Sequence, residues 1–110
     1  MAKILVIEDN NEIQEILKTL LIEEHEVIQA FSGTEGIMQF DKGGIDLVLL
    51  DIMLPGKNGD QVLQSIRQTS QTPVIMLTAL SDKKLISQYL LDGANDYVVK
   101  PFDLDEVFAR

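Results

Sequence analysis

Five polar residues in this sequence each close a short apolar run. Glu8 and Asp9 follow residues 4–7, Asp51 follows residues 47–50, Thr78 follows residues 74–77 and Lys100 follows residues 97–99. Three acids, a hydroxyl and an amine make a limited chemical set. Carboxylates gathered in one place repel each other, and burial adds the cost of lost hydration. One lysine does not neutralise three acids, whereas a hard divalent cation does. Mg²⁺ prefers oxygen ligands, keeps several waters, and binds one or two carboxylates together with a phosphate oxygen. Zinc would call for histidine or cysteine, and the chain has one histidine, His25, and no cysteine. Beside such a cation a carboxylate can act as a nucleophile toward a phosphoryl donor. The cation and Lys100 would neutralise the equatorial oxygens, and Thr78 could donate a hydrogen bond to the product. Asp51 is the candidate nucleophile, because it stands alone after the central run while Glu8 and Asp9 form a natural metal-binding pair.

Each residue alone has a simpler account. An acid after a strand is often a helix N-cap, and Asp9 and Asn10 are both placed to cap the first helix. Thr78 alone reads as a turn residue, and Lys100 alone as a solvated cation. Asp51 resists such an account. It lies between residues 47–50 and Ile52-Met53-Leu54, apolar on both sides, so partial burial is predicted. His25, before the second strand, is predicted to be exposed.

The elements that would bring these residues together are legible as an alternation. Residues 4–7, 27–31, 47–50, 74–77 and 97–99 read as five strands. Four are nearly continuous apolar stretches, the pattern of strands buried on both faces. Between them, Ile13, Ile16, Leu17, Leu20 and Leu21 recur at helical spacing. Ser32-Gly33-Thr34-Glu35 reads as a capping box opening a second helix. Val62, Leu63 and Ile66 mark a third, Leu85, Ile86, Tyr89 and Leu90 a fourth, and Leu104, Val107 and Phe108 a fifth. Gly43-Gly44, Pro55-Gly56, Asn58-Gly59 and Gly93 punctuate the connections. This alternation predicts an α/β domain, a doubly wound parallel sheet with helices on both faces. In open sheets of this type ligands bind beyond the carboxyl ends of the strands, where all five polar residues fall.

Composition narrows the function. A chain of 110 residues is one domain with room for a core, and 45% hydrophobic with 25% charged residues is the mixture of a folded chain, which argues against disorder. No apolar run approaches the ~18 residues of a membrane helix, and the short run after Met1 reads as a buried strand rather than a secretory signal. Cytoplasmic location and no membrane partner are therefore expected. The 18 acids outnumber nine Lys and Arg, for a net charge of −9. Direct nucleic-acid binding by this domain is excluded as an expectation, because phosphate contacts need clustered cations.

Taken in order, Glu8-Asp9, then Leu50-Asp51-Ile52-Met53-Leu54-Pro55-Gly56, then Thr78-Ala79, then Lys100-Pro101-Phe102 resemble the receiver domain of two-component response regulators. The match runs through essentially the whole chain, and its four-part pattern is specific where a lone acidic pair is not. The resemblance implies a flavodoxin-like sheet of order 2-1-3-4-5. It implies that Asp51 receives a phosphoryl group from the phosphohistidine of a sensor histidine kinase. Asp9, Asp51 and the backbone carbonyl of Met53 would bind Mg²⁺, with Mn²⁺ or Ca²⁺ as substitutes, and Glu8 would reach the ion directly or through water. Thr78 and Lys100 would hold the phosphoryl group, Lys100-Pro101 would be a cis peptide, and Tyr97 would be the switch aromatic coupled to Thr78. The product is a signalling phosphoprotein rather than an enzyme, catalysing only its own phosphorylation and dephosphorylation. Its readout would be the face made by the fourth helix, fifth strand and fifth helix.

Leu-Pro-Gly after Asp51, and Lys-Pro-Phe followed by a Glu and an Ala-Arg pair, resemble the winged-helix transcription-factor subfamily (OmpR/PhoB-like). That subfamily dimerises through the readout face, and Asp96, Glu106, Arg110 and a lysine of Lys83-Lys84 are candidates for intersubunit salt bridges. Such pairs are individually weak and would set register. Tyr89 and Leu91 depart from the subfamily pattern; Leu91 either enlarges an apolar dimer patch or packs internally. The chain ends within the fifth helix, which has at most about eight residues, few for a helix without tertiary packing. Residues 1–110 are thus expected to be the receiver domain, the N-terminal part of a longer regulator whose output half binds DNA.

Four rival readings stand beside this one. A haloacid-dehalogenase-type phosphatase needs a second acid two positions after the nucleophile, where this chain has Met53. A flavodoxin-like cofactor binder needs Ser, Thr or Gly in its first loop, where Glu8-Asp9 would repel a phosphate. A pseudo-receiver would not need all of Glu8, Asp9, Asp51, Thr78 and Lys100. A stand-alone receiver or phosphorelay protein acting through protein contacts is compatible with the sequence.

Overall fold

The computed structural model describes residues 2–52, 54, 58–78, 87, 90, 91 and 93–99. Among the described residues the bounded elements follow in the order β1 (Lys3–Ile7), α1 (Asn11–Leu21), β2 (Glu26–Ala30), α2 (Gly33–Asp41), β3 (Leu47–Asp51), α3 (Gly59–Thr69), β4 (Val74–Thr78) and β5 (Asp96–Val99). All strand pairs are parallel, and the sheet order is β2-β1-β3-β4-β5. This is the flavodoxin-like architecture and the strand order that the sequence implied.

The apolar runs are divided between two faces by the two-residue period of the strand. Leu5 and Ile7 of β1 join Val48, Leu50 and Met76 in one core layer, closed by Val62, Leu63 and Ile66 of α3. Ile4 and Val6 join Leu49, Ile75 and Leu77 in the other, closed by Leu17 and Leu21 of α1. A strand covered on both sides has no solvated face, hence no polar alternation.

Two expectations shift by a residue or a turn. The second strand spans Glu26–Ala30 rather than residues 27–31. Its ladder to β1 ends at the pair Ile7↔Ala30, and Ser32 is already the N-cap of α2, its Oγ accepting from Glu35 N at 3.1 Å, half of the expected box. Helix α1 turns a different stripe inward. Gln14, Leu17 and Leu21 are buried, while Ile16 is 49% exposed. His25 is half-buried rather than exposed, and its Nδ1 accepts from Ala2 N at 3.1 Å.

Arg67 braces the far end of α3. Its guanidinium donates to Gly93 O (2.9 Å), Thr72 O (2.7 Å), Ser70 O (3.3 Å) and Asn95 Oδ1 (2.9 Å). Asn95 Oδ1 also accepts from Val74 N at 2.8 Å. Desolvation lowers the Arg67 pKa from its usual value, but guanidinium stays charged at any physiological pH. The brace fixes the entry to β5, the strand that carries Tyr97 and leads to position 100. Gly93 suits the contact: its φ is +115°, and Arg67 Cγ lies 3.0 Å from where a Cβ would stand.

Candidate functional site

The site is built by register. Strand β1 pairs with β3 from Ile4↔Leu47 to Ile7↔Leu50, so the next step along both chains sets Glu8 beside Asp51. Positions 4, 6 and 8 of one strand and 47, 49 and 51 of the other point to the same side, that of α1. The order β2-β1-β3 also reverses direction between β1 and β3, the place where open α/β sheets form a ligand crevice. Asp51 and Thr78 are the last residues of β3 and β4, one residue beyond the apolar runs 47–50 and 74–77. Thr78 pairs with Val99 and Tyr97 with Met76. The backbone thus carries positions 51 and 78, and the end of β5, to one edge.

Carboxylate oxygens of Glu8, Asp9 and Asp51 all lie within 4.8 Å of one another. Glu8 is fully buried and Asp51 is 5% exposed, whereas Asp9 is exposed. The partial burial predicted for Asp51 is thus exceeded. Asp9 is not a helix cap: Asn10 is the N-cap of α1, and its Oδ1 accepts from Ile13 N at 3.1 Å. The Asp9 carboxylate lies instead beside those of Glu8 and Asp51.

Two features fix Asp51 from behind. Beyond it, Ile52 N donates to Leu77 O at 3.2 Å, and Ile52 O accepts from Gly59 N at 2.8 Å. Gly59 opens α3 so close to this segment that a Cβ would meet Asp51 O at 2.5 Å and Ile52 Cα at 2.7 Å. The sequence marked Gly59 as turn punctuation only. Gln14 was missed altogether. It is 1% exposed, and its Nε2 donates to Glu8 O at 3.0 Å, Ala30 O at 2.8 Å and Val6 O at 3.1 Å. Its spacing of three and seven residues from Leu17 and Leu21 was the available signal.

The donor set suits a hard cation. All three groups are oxygen ligands, two buried and one facing water, so an ion could keep part of its hydration. An octahedral Mg²⁺ spans about 4 Å between opposite ligands, and oxygens within 4.8 Å fall in the range of direct and water-mediated ligation. A recess of about 430 Å³ lies at the opposite edge of the sheet, lined by Gly43, Gly44, Ile45, Ser70 and Thr72 among others; Glu8, Asp9 and Asp51 do not border it.

The remaining predicted positions divide. Met53, Lys100, Pro101, Glu106, Arg110, Lys83 and Lys84 lie outside the described residues, as do Tyr89 and the fifth helix. Asp96 begins β5, and Leu91 is 82% exposed. Of its two readings, internal packing is therefore excluded.

A doubly wound sheet with an acidic crevice at its switch point, on a strand-end aspartate, defines a receiver-like signalling module. Residues 4–110 match the family model described as response regulator receiver domain, and the chain belongs to that family. It is 48% identical over 109 residues to the transcriptional regulatory protein HprR of Escherichia coli strain K12, covering 98% of this chain and 49% of HprR. It is 46% identical over 111 residues to the transcriptional regulatory protein CpxR of the same strain, covering 100% and 47%. These relatives accord with the resemblance to the winged-helix transcription-factor subfamily. Among solved structures, the receiver domain of the Francisella response regulator 1452 superposes with a TM-score of 0.95 at 33% identity, covering 100% of this chain and 93% of that one. The chain spans about half the length of the curated relatives it matches. Among the described residues no helix is long and apolar enough to cross a membrane.

Proposed function

We propose that Asp51 is the phosphoacceptor of a two-component regulator and takes its phosphoryl group from a phosphohistidine of a sensor histidine kinase. The observation that carries this reading is the meeting of three carboxylates within 4.8 Å, with Asp51 buried at the end of the central strand. An Asp51 carboxylate oxygen attacks phosphorus, the N–P bond breaks, and the imidazole nitrogen keeps the electron pair and takes a proton. Hydrolysis of the acyl phosphate by water restores Asp51. Glu8, Asp9, Asp51 and the Met53 carbonyl are the proposed Mg²⁺ ligands, and the bound ion would offset negative charge on the phosphoryl oxygens. Lys100 and Thr78 hold the transferred group. Their interactions with it exist in one conformer only, so phosphorylation shifts a two-state equilibrium toward that conformer. Tyr97 reports the change to a face that includes β5.

Residues 1–110 then act as the receiver domain of a longer cytoplasmic regulator. Phosphorylation drives homodimer formation through the face that includes Leu91, Asp96, Glu106 and Arg110, and DNA is bound by an output domain elsewhere in the protein. The relatives that support this part are named transcriptional regulatory proteins and are about twice as long as this chain. Exposure of Leu91 supports the dimer patch over internal packing.

The test is incubation with Mg²⁺ and acetyl phosphate, followed by intact mass. One added phosphoryl group is expected, absent in Asp51→Asn and absent when the metal is chelated. Unchanged mass across several phosphodonors, or a modified Asp51→Asn protein, would overturn the assignment.

A further inference from the structure

We infer that Gln14 is a positioning residue for the Glu8–Asp9 carboxylate pair, setting cation affinity from within α1. The inference rests on the reading of that pair as a cation site. The β1 ladder ends at Ile7. The next carbonyl, Glu8 O, lies past the last paired residue and receives its hydrogen from Gln14 Nε2 at 3.0 Å. That carbonyl belongs to the peptide joining Glu8 to Asp9. The two acids branch from opposite ends of this one plane, so a donor that fixes the plane fixes the origin of both side chains. The same nitrogen reaches Ala30 O at 2.8 Å, which also accepts from Glu8 N at 3.0 Å, and Val6 O at 3.1 Å. The carboxamide therefore pins the ends of β1 and β2 to α1 at one point.

Stability alone does not account for this residue. An amide nitrogen carries two hydrogens, so three carbonyls share them. Gln14 Oε1 is buried with no hydrogen-bond partner, which is destabilising. Every other buried residue of α1 is leucine. A polar side chain with one orphaned atom is a poor core residue, but it lies directly behind the two acids. Mg²⁺ tolerates little departure from octahedral ligation, and ligand sets of this kind hold to about 0.5 Å and 10–20°. Loss of a group that orients metal ligands typically weakens affinity about 10- to 100-fold.

The test compares Gln14→Met, which keeps length and loses the donor, with Leu17→Ala, a neighbouring core truncation that lowers stability without touching Glu8 O. Mg²⁺ affinity is read by calorimetric or NMR titration of each folded protein. Gln14→Met is expected to weaken Mg²⁺ binding about tenfold, with phosphorylation by acetyl phosphate recovering at saturating Mg²⁺, while Leu17→Ala binds Mg²⁺ as wild type does. If Gln14→Met does not fold, Gln14→Asn, which retracts the amide by one methylene, carries the same expectation. Wild-type affinity in the Gln14 variant, or equal weakening in Leu17→Ala, overturns the inference alone. A wild-type protein that binds no Mg²⁺ overturns the cation site beneath it.

Discussion

Replacing Gly59 by alanine tests the coupling between α3 and the phosphoacceptor strand. The added Cβ would lie 2.5 Å from Asp51 O, 2.7 Å from Ile52 Cα and 3.1 Å from Ile52 O. Carbon contacts are comfortable at about 3.5–4.0 Å, so the helix start and the strand end must separate by about 1 Å. No side chain can rotate away, because all three atoms are backbone. Overpacking of this kind costs about 1–3 kcal/mol. The 2.8 Å bond from Gly59 N to Ile52 O stretches beyond use, a further loss of about 1 kcal/mol. Alanine returns at most about 1 kcal/mol of helix propensity, and less at the first helical position. The net cost is about 1–4 kcal/mol, which for a domain of this size lowers Tm on the order of 10 °C. Thermal and urea unfolding measure it, and the rate of phosphorylation by acetyl phosphate reports displacement of Asp51. Gly43→Ala is the internal control. There φ is +86° but nothing lies within 4 Å, so the cost is backbone strain of about 1–2 kcal/mol with phosphorylation unchanged. A Gly59→Ala protein within 2 °C of wild type, using ~4–8 °C per kcal/mol as the scale, and phosphorylated at the normal rate, would refute the close approach of α3 to β3.

Two further outcomes follow from the framework around the site. Arg67→Met keeps the apolar stem but removes the donors to Gly93, Thr72, Ser70 and Asn95. It is expected to cost about 2–3 kcal/mol in urea unfolding and to speed amide exchange at Val74 and Asn95, whereas exchange confined to wild-type rates would count against the brace. Asn10→Ala removes the cap bond to Ile13 N and is expected to cost about 1 kcal/mol. Asn10→Asp should restore it, and a fall in stability for Asp9→Asn as large as for Asn10→Ala would contradict the assignment of the cap.

The strands, their parallel sheet and the candidate phosphoacceptor are legible in the residue pattern alone. Runs such as Leu47–Leu50 are apolar at every position because each is covered twice, and that composition survives without coordinates. Asp51 was legible because an acid between two apolar segments has few ordinary explanations. Helix α1 was legible as a helix, but not in its rotation. Ile16 reads as core and is 49% exposed, while Gln14, outside the apolar pattern, is 1% exposed. Helical spacing fixes which residues share a face, and the choice between adjacent faces depends on what packs against them. The same limit hid Gly59, whose close contact is with the backbone at the end of β3, and left Leu91 with two accounts until its exposure separated them. That Glu8 stands beside Asp51, and that Asn10 rather than Asp9 caps α1, emerges from the folded arrangement. These are matters of register and of competition for one backbone donor. A local pattern carries face and period, whereas neighbours across a sheet are set by how all the layers pack together.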